Sequence, residues 1–399
     1  MRVLQIGASY VGAQRKIEKA IHEFLCYHGD ESYVLFSIGE SENDNIFCYE
    51  NVFYRLIRRV LGKLFGKNNK TAFLSTIRII NFIRKINPDI INLHILHHGY
   101  IDYVLLLNYL AKKKIPVVFT AHDMWHFTGG CYYYTTIGCK KFLNGCQDCP
   151  KEKKELDCSP QWTSLNFKRK MKLYDKLDNL SFVSVSPWVH IEMMKSFLSQ
   201  YPQYMIMNSV DAQECEIFNN TKNERFTIIG VAANWDDRKG IDRFLRLADM
   251  LQDYCDFVLV GNVDAEHKMK ATKNITFTGA VNDLKTLYHL YSSCDLHVSL
   301  SYEETFGLTF VEAAIAGIKS LGFNSTAIPY VLEKTYGYVI DSFDILDVAD
   351  KIRELSLNRK SCVLSKDEIS LIKETFSTRA MAEQYYKVFQ DTISRRERR

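Results

Sequence analysis

This chain of 399 residues has only 7 prolines and 19 glycines. That scarcity excludes a collagen-like or low-complexity protein. It also lacks any apolar run approaching the roughly 18–20 residues needed to span a bilayer. Its start, Met1-Arg-Val-Leu-Gln-Ile-Gly7, has one basic residue and a short apolar run stopped by glycine. The h-region and small-residue cleavage site of a signal peptide are missing, which predicts a cytoplasmic protein. Acidic residues are absent from 51–88, where nine basic ones fall.

What remains is ordinary globular composition, 47% hydrophobic and 25% charged. The length suits about two domains of roughly 150 residues. The net charge of +4 hides a division: residues 1–200 carry +9 and residues 201–399 carry −5. Two domains with different partners would account for it.

Short apolar runs alternate with helical stretches from the first residues. Val3–Ile6, Tyr33–Phe36, Ile90–Leu93, Pro116–Phe119 and Phe182–Val185 read as strands. The rhythm restarts with Phe226–Ile229, Phe257–Val260, Ile275–Phe277 and Leu296–Leu300. Such alternation predicts two doubly wound α/β domains with parallel sheets, joined near Met205–Ala212. The expected division is 1–205, with a Cys-rich insertion at 126–160, then 206–376, then a helix and tail at 377–399. Ligands of such sheets lie beyond the carboxyl ends of the strands, which points to the cleft between the domains.

The segment Ser301-Tyr-Glu-Glu304-Thr-Phe306-Gly307-Leu308-Thr-Phe-Val-Glu312 follows a strand and opens a helix. A helix beginning near Thr309 leaves backbone N–H groups of Gly307 and Leu308 free to hold a diphosphate. Carboxylates on either side of a phosphate site suit hydroxyl groups, as on the ribose and sugar of a nucleotide-sugar. Thr309-Phe-Val-Glu312 also reads as a capping box, with Glu312 serving the Thr309 backbone.

Glu304-x-Phe306-Gly307 with Glu312 resembles the E-x7-E motif of the retaining GT-B glycosyltransferases grouped as family four. Asp236-Asp-Arg238-Lys239-Gly-Ile-Asp242 is similar to that family's basic phosphate loop, and Phe277-Thr-Gly-Ala-Val281 to its loop beside the base. Ser184–Trp188 and Met207–Asp211 resemble the segments leading into the linker, and Phe119-Thr-Ala-His122-Asp123-Met-Trp125 the strand-end histidine segment. The resemblance covers about 1–392 and includes a branch, associated with bacterial surface polysaccharides such as colanic acid, that carries a similar Cys-rich insertion.

The resemblance implies a GT-B fold of two Rossmann-like domains and a hexosyltransferase. Its donor would be a nucleoside diphosphate sugar and its acceptor a glycan, carried on a lipid. Arg238 and Lys239 would neutralise the leaving diphosphate. Glu312 would hold the ribose, Glu304 the sugar hydroxyls, the Phe306–Leu308 backbone the phosphates, and Val281 the base. His122 would stand near the transferred sugar; the other reading is a structural strand-end histidine whose orientation the adjacent Asp123 fixes. Gly12, in Tyr10-Val-Gly12-Ala-Gln14, would face the acceptor. Front-face displacement needs no nucleophile, and the basic pair replaces a catalytic metal.

Cys131-x7-Cys139-x6-Cys146-x2-Cys149 has the ligand number of a closed structural zinc site. Reduced thiols with no metal are the other reading. Within 54–70, Arg55, Arg58, Arg59, Lys63 and Lys67 interleave with apolar residues spaced along one helical face. That pattern suits peripheral contact with an anionic membrane on the cytoplasmic face, or an ordinary surface helix. Two further readings of the whole chain are a nucleotide-sugar epimerase or phosphorylase on the same scaffold and a zinc-bearing basic module for nucleic acid. No pyridoxal lysine motif supports a phosphorylase. The nucleic-acid reading leaves the acidic half and Glu304-x7-Glu312 unexplained, so no nucleic-acid partner is expected.

Overall fold

The computed structural model describes residues 1–9, 12–43, 45–50, 56, 72–97, 99–212 and 223–397. The basic segment 54–70, Leu56 apart, lies outside them. The described residues form two compact units, Met1–Asn208 with Thr378–Arg399, and Ser209–Ser377.

The first unit is built on a parallel sheet of β1 (Arg2–Ser9), β2 (Glu31–Ile38), β3 (Ile46–Cys48), β4 (Ile90–Leu93), β5 (Val117–Ala121), β6 (Leu180–Ser184) and β7 (Gln203–Met205). Its strand order is β3-β2-β1-β4-β5-β6-β7. Every residue of β4, β5 and β6 is buried. Both faces of these strands are covered, which explains their continuous apolar runs. Leu4, Ile91, Phe119 and Phe182 pack on one face with helices Phe73–Ile86 and Tyr103–Lys113. Their neighbours Val3, Ile90, Val118 and Val183 pack on the other with Ile17, Ile21, Met381, Tyr385 and Phe389. The period of two along each strand thus divides the core between two helical layers. The second layer joins helices Gly12–Tyr27 and Thr378–Glu397, near opposite ends of the chain. Ser181 Oγ and Thr392 Oγ1, 2.7 Å apart, fasten the last helix to β6.

The insertion after β5 has no long helix or strand. It winds through short 3₁₀ turns at Met124–Phe127, Thr135–Ile137, Lys141–Asn144, Lys153–Glu155 and Pro160–Trp162. Trp125 and Phe127 sit in the core beneath it. Lys170, fully buried, carries its ammonium 3.8 Å from the Trp125 ring centroid.

The second unit is a parallel sheet of β8 (Phe226–Asn234), β9 (Cys255–Asn262), β10 (Ile275–Gly279), β11 (Leu296–Ser299), β12 (Ser320–Phe323) and β13 (Tyr338–Ile340), ordered β10-β9-β8-β11-β12-β13. Val210 N–H bonds Phe376 O at 3.0 Å, closing the start of this unit on its end. Both sheets reverse strand order beside their first strand, at β1/β4 and β8/β11. The loops leaving the carboxyl ends at such a switch point form a crevice for ligands.

Candidate functional site

In the second unit the two switch-point loops carry the motif residues. Asp236 Oδ1 accepts the Lys239 N–H at 2.8 Å, folding the loop after β8 into a turn. Gly240 ends the turn with φ +84 and caps helix Ile241–Met250. A Cβ there would stand 2.8 Å from Leu300 O, so this glycine lets the two loops close on each other. Arg243, not singled out by the motifs, fastens them. Its Nε donates to Leu300 O at 3.0 Å, its Nη2 to Asp237 O at 2.9 Å, and its guanidinium lies 3.8 Å from the Tyr302 ring centroid. Its position one helical turn beyond Lys239 was the available signal.

Lys239 Nζ and Glu304 Oε1 form an ion pair across the loops. Burial pushes the Glu304 carboxyl up, but Lys239 and then Arg238 outweigh it and hold it below the usual carboxylate range. Lys239, Glu304, Ser301 and Thr309 share one small polar cavity with Trp235. Thr326 Oγ1 accepts the Glu304 N–H at 2.9 Å, holding the carboxylate's backbone in place.

The helix after the motif runs Leu308–Ile315, and Gly307, at φ +90, is its cap. It begins one residue earlier than expected. Thr309 is therefore its second residue and Glu312 its fifth, so the capping box does not form. Glu312 is buried, with Tyr291 Oη 3.5 Å from its Oε2. Burial and Glu312 together push the Tyr291 phenol well up. Phe306 is 2% exposed and packs edge-on against Phe376, so its side chain belongs to the core. Val281 lies in the loop after β10, at the sheet's edge and separated from β8 by β9.

In the first unit His122 follows β5 and meets a residue that the motifs did not include. Its Nε2 is 3.0 Å from Nδ1 of His94, which follows β4. Burial pulls the His122 imidazole down to about 4 and His94 well below the ordinary histidine value. Asp123 does not orient His122. Its Oδ2 is 2.7 Å from His97 Nε2 and its Oδ1 accepts the Trp125 N–H at 2.8 Å. Burial raises the Asp123 carboxyl, but His97 and the backbone bond bring it down to about 2. The chain direction explains the correction, because consecutive side chains leave an extended backbone on opposite sides. Gly12 opens helix Gly12–Tyr27 at φ +59, next to the switch point, whereas Tyr10 and Val11 lie outside the described residues.

Cys131, Cys139, Cys146 and Cys149 line one cavity with Tyr134, Ile137 and Leu156. Their side chains are not arranged as a metal cage. Among the described residues no three His, Cys, Asp or Glu are grouped so as to hold a metal ion. Cys146 Sγ instead takes the Gly129 N–H at 3.1 Å, and Cys158 Sγ, outside the expected set, donates to Gly129 O at 3.3 Å. Burial pushes the Cys146 thiol up to about 11. Among the described residues no helix is long and apolar enough to cross a membrane.

Two parallel α/β units with ligand loops at their switch points define the GT-B fold of glycosyltransferases. Comparison with known proteins agrees. Residues 212–367 match the family model of glycosyl transferases group 1, and residues 25–147 that of glycosyltransferase family 4. The putative colanic acid biosynthesis glycosyl transferase WcaC of Escherichia coli (strain K12) is 22% identical over 373 residues, 87% of this chain and 89% of that protein. The structure of sucrose-phosphate synthase (tll1590) from Thermosynechococcus elongatus superposes with a TM-score of 0.70, at 16% identity, over 99% of each chain. That of Anabaena Alr3699/HepE in complex with UDP and glucose gives 0.65 at 13% identity, over 98% of this chain and 100% of that one. The chain is a glycosyltransferase with group 1 and family 4 domains, homologous to WcaC at low identity.

Proposed function

We propose that the chain is a retaining glycosyltransferase. It moves a hexose from a nucleoside diphosphate sugar to a glycan acceptor, carried on a lipid, in the building of a bacterial surface polysaccharide. The observation that carries this reading is the Lys239–Glu304 pair, beside the open N-terminus of helix Leu308–Ile315 at the second sheet's switch point. A cation next to free backbone N–H groups suits a diphosphate. The named relatives support the same reading: HepE is described with UDP and glucose, and WcaC with colanic acid biosynthesis.

In this scheme Lys239 and Arg238 stabilise the charge that grows on the diphosphate as it leaves. Glu312 holds the ribose hydroxyls, Val281 borders the base, and the Phe306–Leu308 backbone receives phosphate oxygens. Glu304 turns from Lys239 to the hydroxyls of the donor sugar, and His122 serves a sugar hydroxyl. The anomeric carbon's bond to phosphate breaks and its bond to the acceptor oxygen forms on the same face. The acceptor's proton passes to the departing phosphate oxygen. Gly12 borders the acceptor.

A structural zinc belongs to the proposal because four cysteines line one cavity. Peripheral contact with the cytoplasmic face of an anionic membrane through 54–70 rests on the basic, apolar sequence there. An epimerase acting on the same donor is the second reading, and it needs no acceptor.

A panel of nucleotide-sugars tests the reading by thermal shift and slow hydrolysis. The true donor at a hundredfold its Kd stabilises by about 2.7 kcal/mol. If no member of the panel shifts the melting temperature and nucleic acid does, the proposal fails.

A further inference from the structure

We propose that His94 is a positioning residue that decides whether His122 presents an N–H or a lone pair to a sugar hydroxyl, because His94 itself is held in a setting that satisfies either tautomer. The inference rests on the reading above only in placing a hydroxyl against His122.

His94 is wholly buried, while His122 is partly exposed, so His122 is the member of the pair that a substrate can reach. The rings lie nearly parallel, 20° apart, with His94 Nδ1 and His122 Nε2 3.0 Å from each other. Two neutral imidazoles at that distance share one proton in their hydrogen bond, and burial keeps both neutral.

The far nitrogen of His94, Nε2, faces two different amide atoms. Asn92 Nδ2, a donor, lies 3.2 Å away, and Gln5 Oε1, an acceptor, 3.3 Å away. Both amides are held by other partners. Gln5 Nε2 donates to the Glu18 backbone carbonyl at 2.9 Å, and Asn92 Oδ1 accepts from Thr120 Oγ1 at 3.0 Å. The Nε2 atom therefore has a partner whether or not it carries the proton. No side chain has to move between the two cases.

The consequence reaches His122 through the shared bond. With the His94 proton on Nδ1, His122 Nε2 accepts it, and the His122 proton sits on Nδ1 as a donor. With the His94 proton on Nε2 and bonded to Gln5, His122 Nε2 donates to His94 Nδ1. Its own Nδ1 is then a bare acceptor. A buried polar group left without a partner is disfavoured. Removing one amide therefore selects one tautomer of His94 and, through it, one of His122.

The test is the ring ¹⁵N spectrum of the full-length chain at neutral pH, read with transfer kinetics. Gln5→Met leaves only the Asn92 donor and is expected to place the His122 proton on Nδ1. Asn92→Leu leaves only the Gln5 acceptor and is expected to place it on Nε2. The two variants should also split in kcat, with the unproductive tautomer losing at least tenfold while donor KM changes less than threefold. In a His94→Phe background the substitution at Gln5 should no longer move the His122 signals. If Asn92→Leu does not fold, Gln5→Met with and without His94→Phe carries the test. The same His122 tautomer in both variants, or a Gln5 effect that survives His94→Phe, overturns the proposal. Opposite tautomers with unchanged kinetics leave the pair intact and refute the role of His122 in transfer.

Discussion

Lys239 and Glu304, 65 positions apart, are ion-paired between the loops that leave β8 and β11. Two residues assigned to opposite parts of a donor thus neutralise each other across one small cavity. Under the proposed function, a diphosphate entering there would compete with Glu304 for the ammonium, and a sugar hydroxyl would replace the ammonium at Glu304.

Lys239→Ala should therefore slow transfer by roughly 10²–10³, the usual cost of removing one group that stabilises charge in the transition state. Glu304→Gln frees Lys239 as well as weakening the sugar contact. The double variant should depart from additivity by about 0.5–3 kcal/mol, as residues in contact do. Steady-state kinetics of the four proteins measures this, and strict additivity would contradict the pairing.

Glu312→Gln keeps the size of the side chain and its place near Tyr291 but removes the charge. A hydrogen bond to a charged group is worth about 1.5–3 kcal/mol. Donor affinity should fall roughly 10- to 100-fold, while unfolding by denaturant changes little. Titration calorimetry with the nucleoside diphosphate alone reads the effect without an acceptor.

Gly307→Ala should lower stability and donor affinity together. Its φ of +90 is poor for an L side chain, and the new Cβ would lie 2.6 Å from the Phe310 ring. The left-handed conformation alone costs about 1–2 kcal/mol. A melting temperature equal to that of the parent chain would show that the loop takes another path.

Stability should fall as pH drops from about 6.5 towards 4. Burial depresses His122 to about 4, and His126 and His297 to about 3. The unfolded chain binds protons on these rings in that range and the folded chain does not, so each proton taken up favours unfolding. Asp123, held at about 2, loses its contribution in the same direction but only below about 4. Urea midpoints at pH 7 and pH 5 give the sign directly.

Metal analysis decides the cysteine cluster. Four thiolates gathered at their cavity would hold about one zinc per chain. Zinc-free protein with all its thiols titratable would leave the cluster as a set of free thiols around one cavity.

Much of this chain was legible beforehand. The strands were visible because sheets covered on both faces need unbroken apolar runs, as in Ile90–Leu93 and Phe226–Ile229. Short edge strands such as Ile46–Cys48 and Gln203–Met205 carry little of that signal. Glu304, Glu312 and Lys239 could be placed on their loops and helix because strand–loop–helix segments keep their order and spacing in the chain. His94 could not, since it acts on a segment that no local pattern links to it, and Arg243 only through its place one helical turn beyond Lys239.

The amino-acid sequence by itself determined two parallel α/β units and the positions of the switch-point loops, because burial period and loop position are properties of consecutive residues. Tertiary structure decided the partnerships. Parallel pairing of β4 with β5 sets Leu93 opposite Phe119. Beyond the paired residues, where the chains leave the sheet, His94 meets His122 and Asp123 meets His97. Which side chain meets which depends on strand order and register, and those are settled only when the sheet forms.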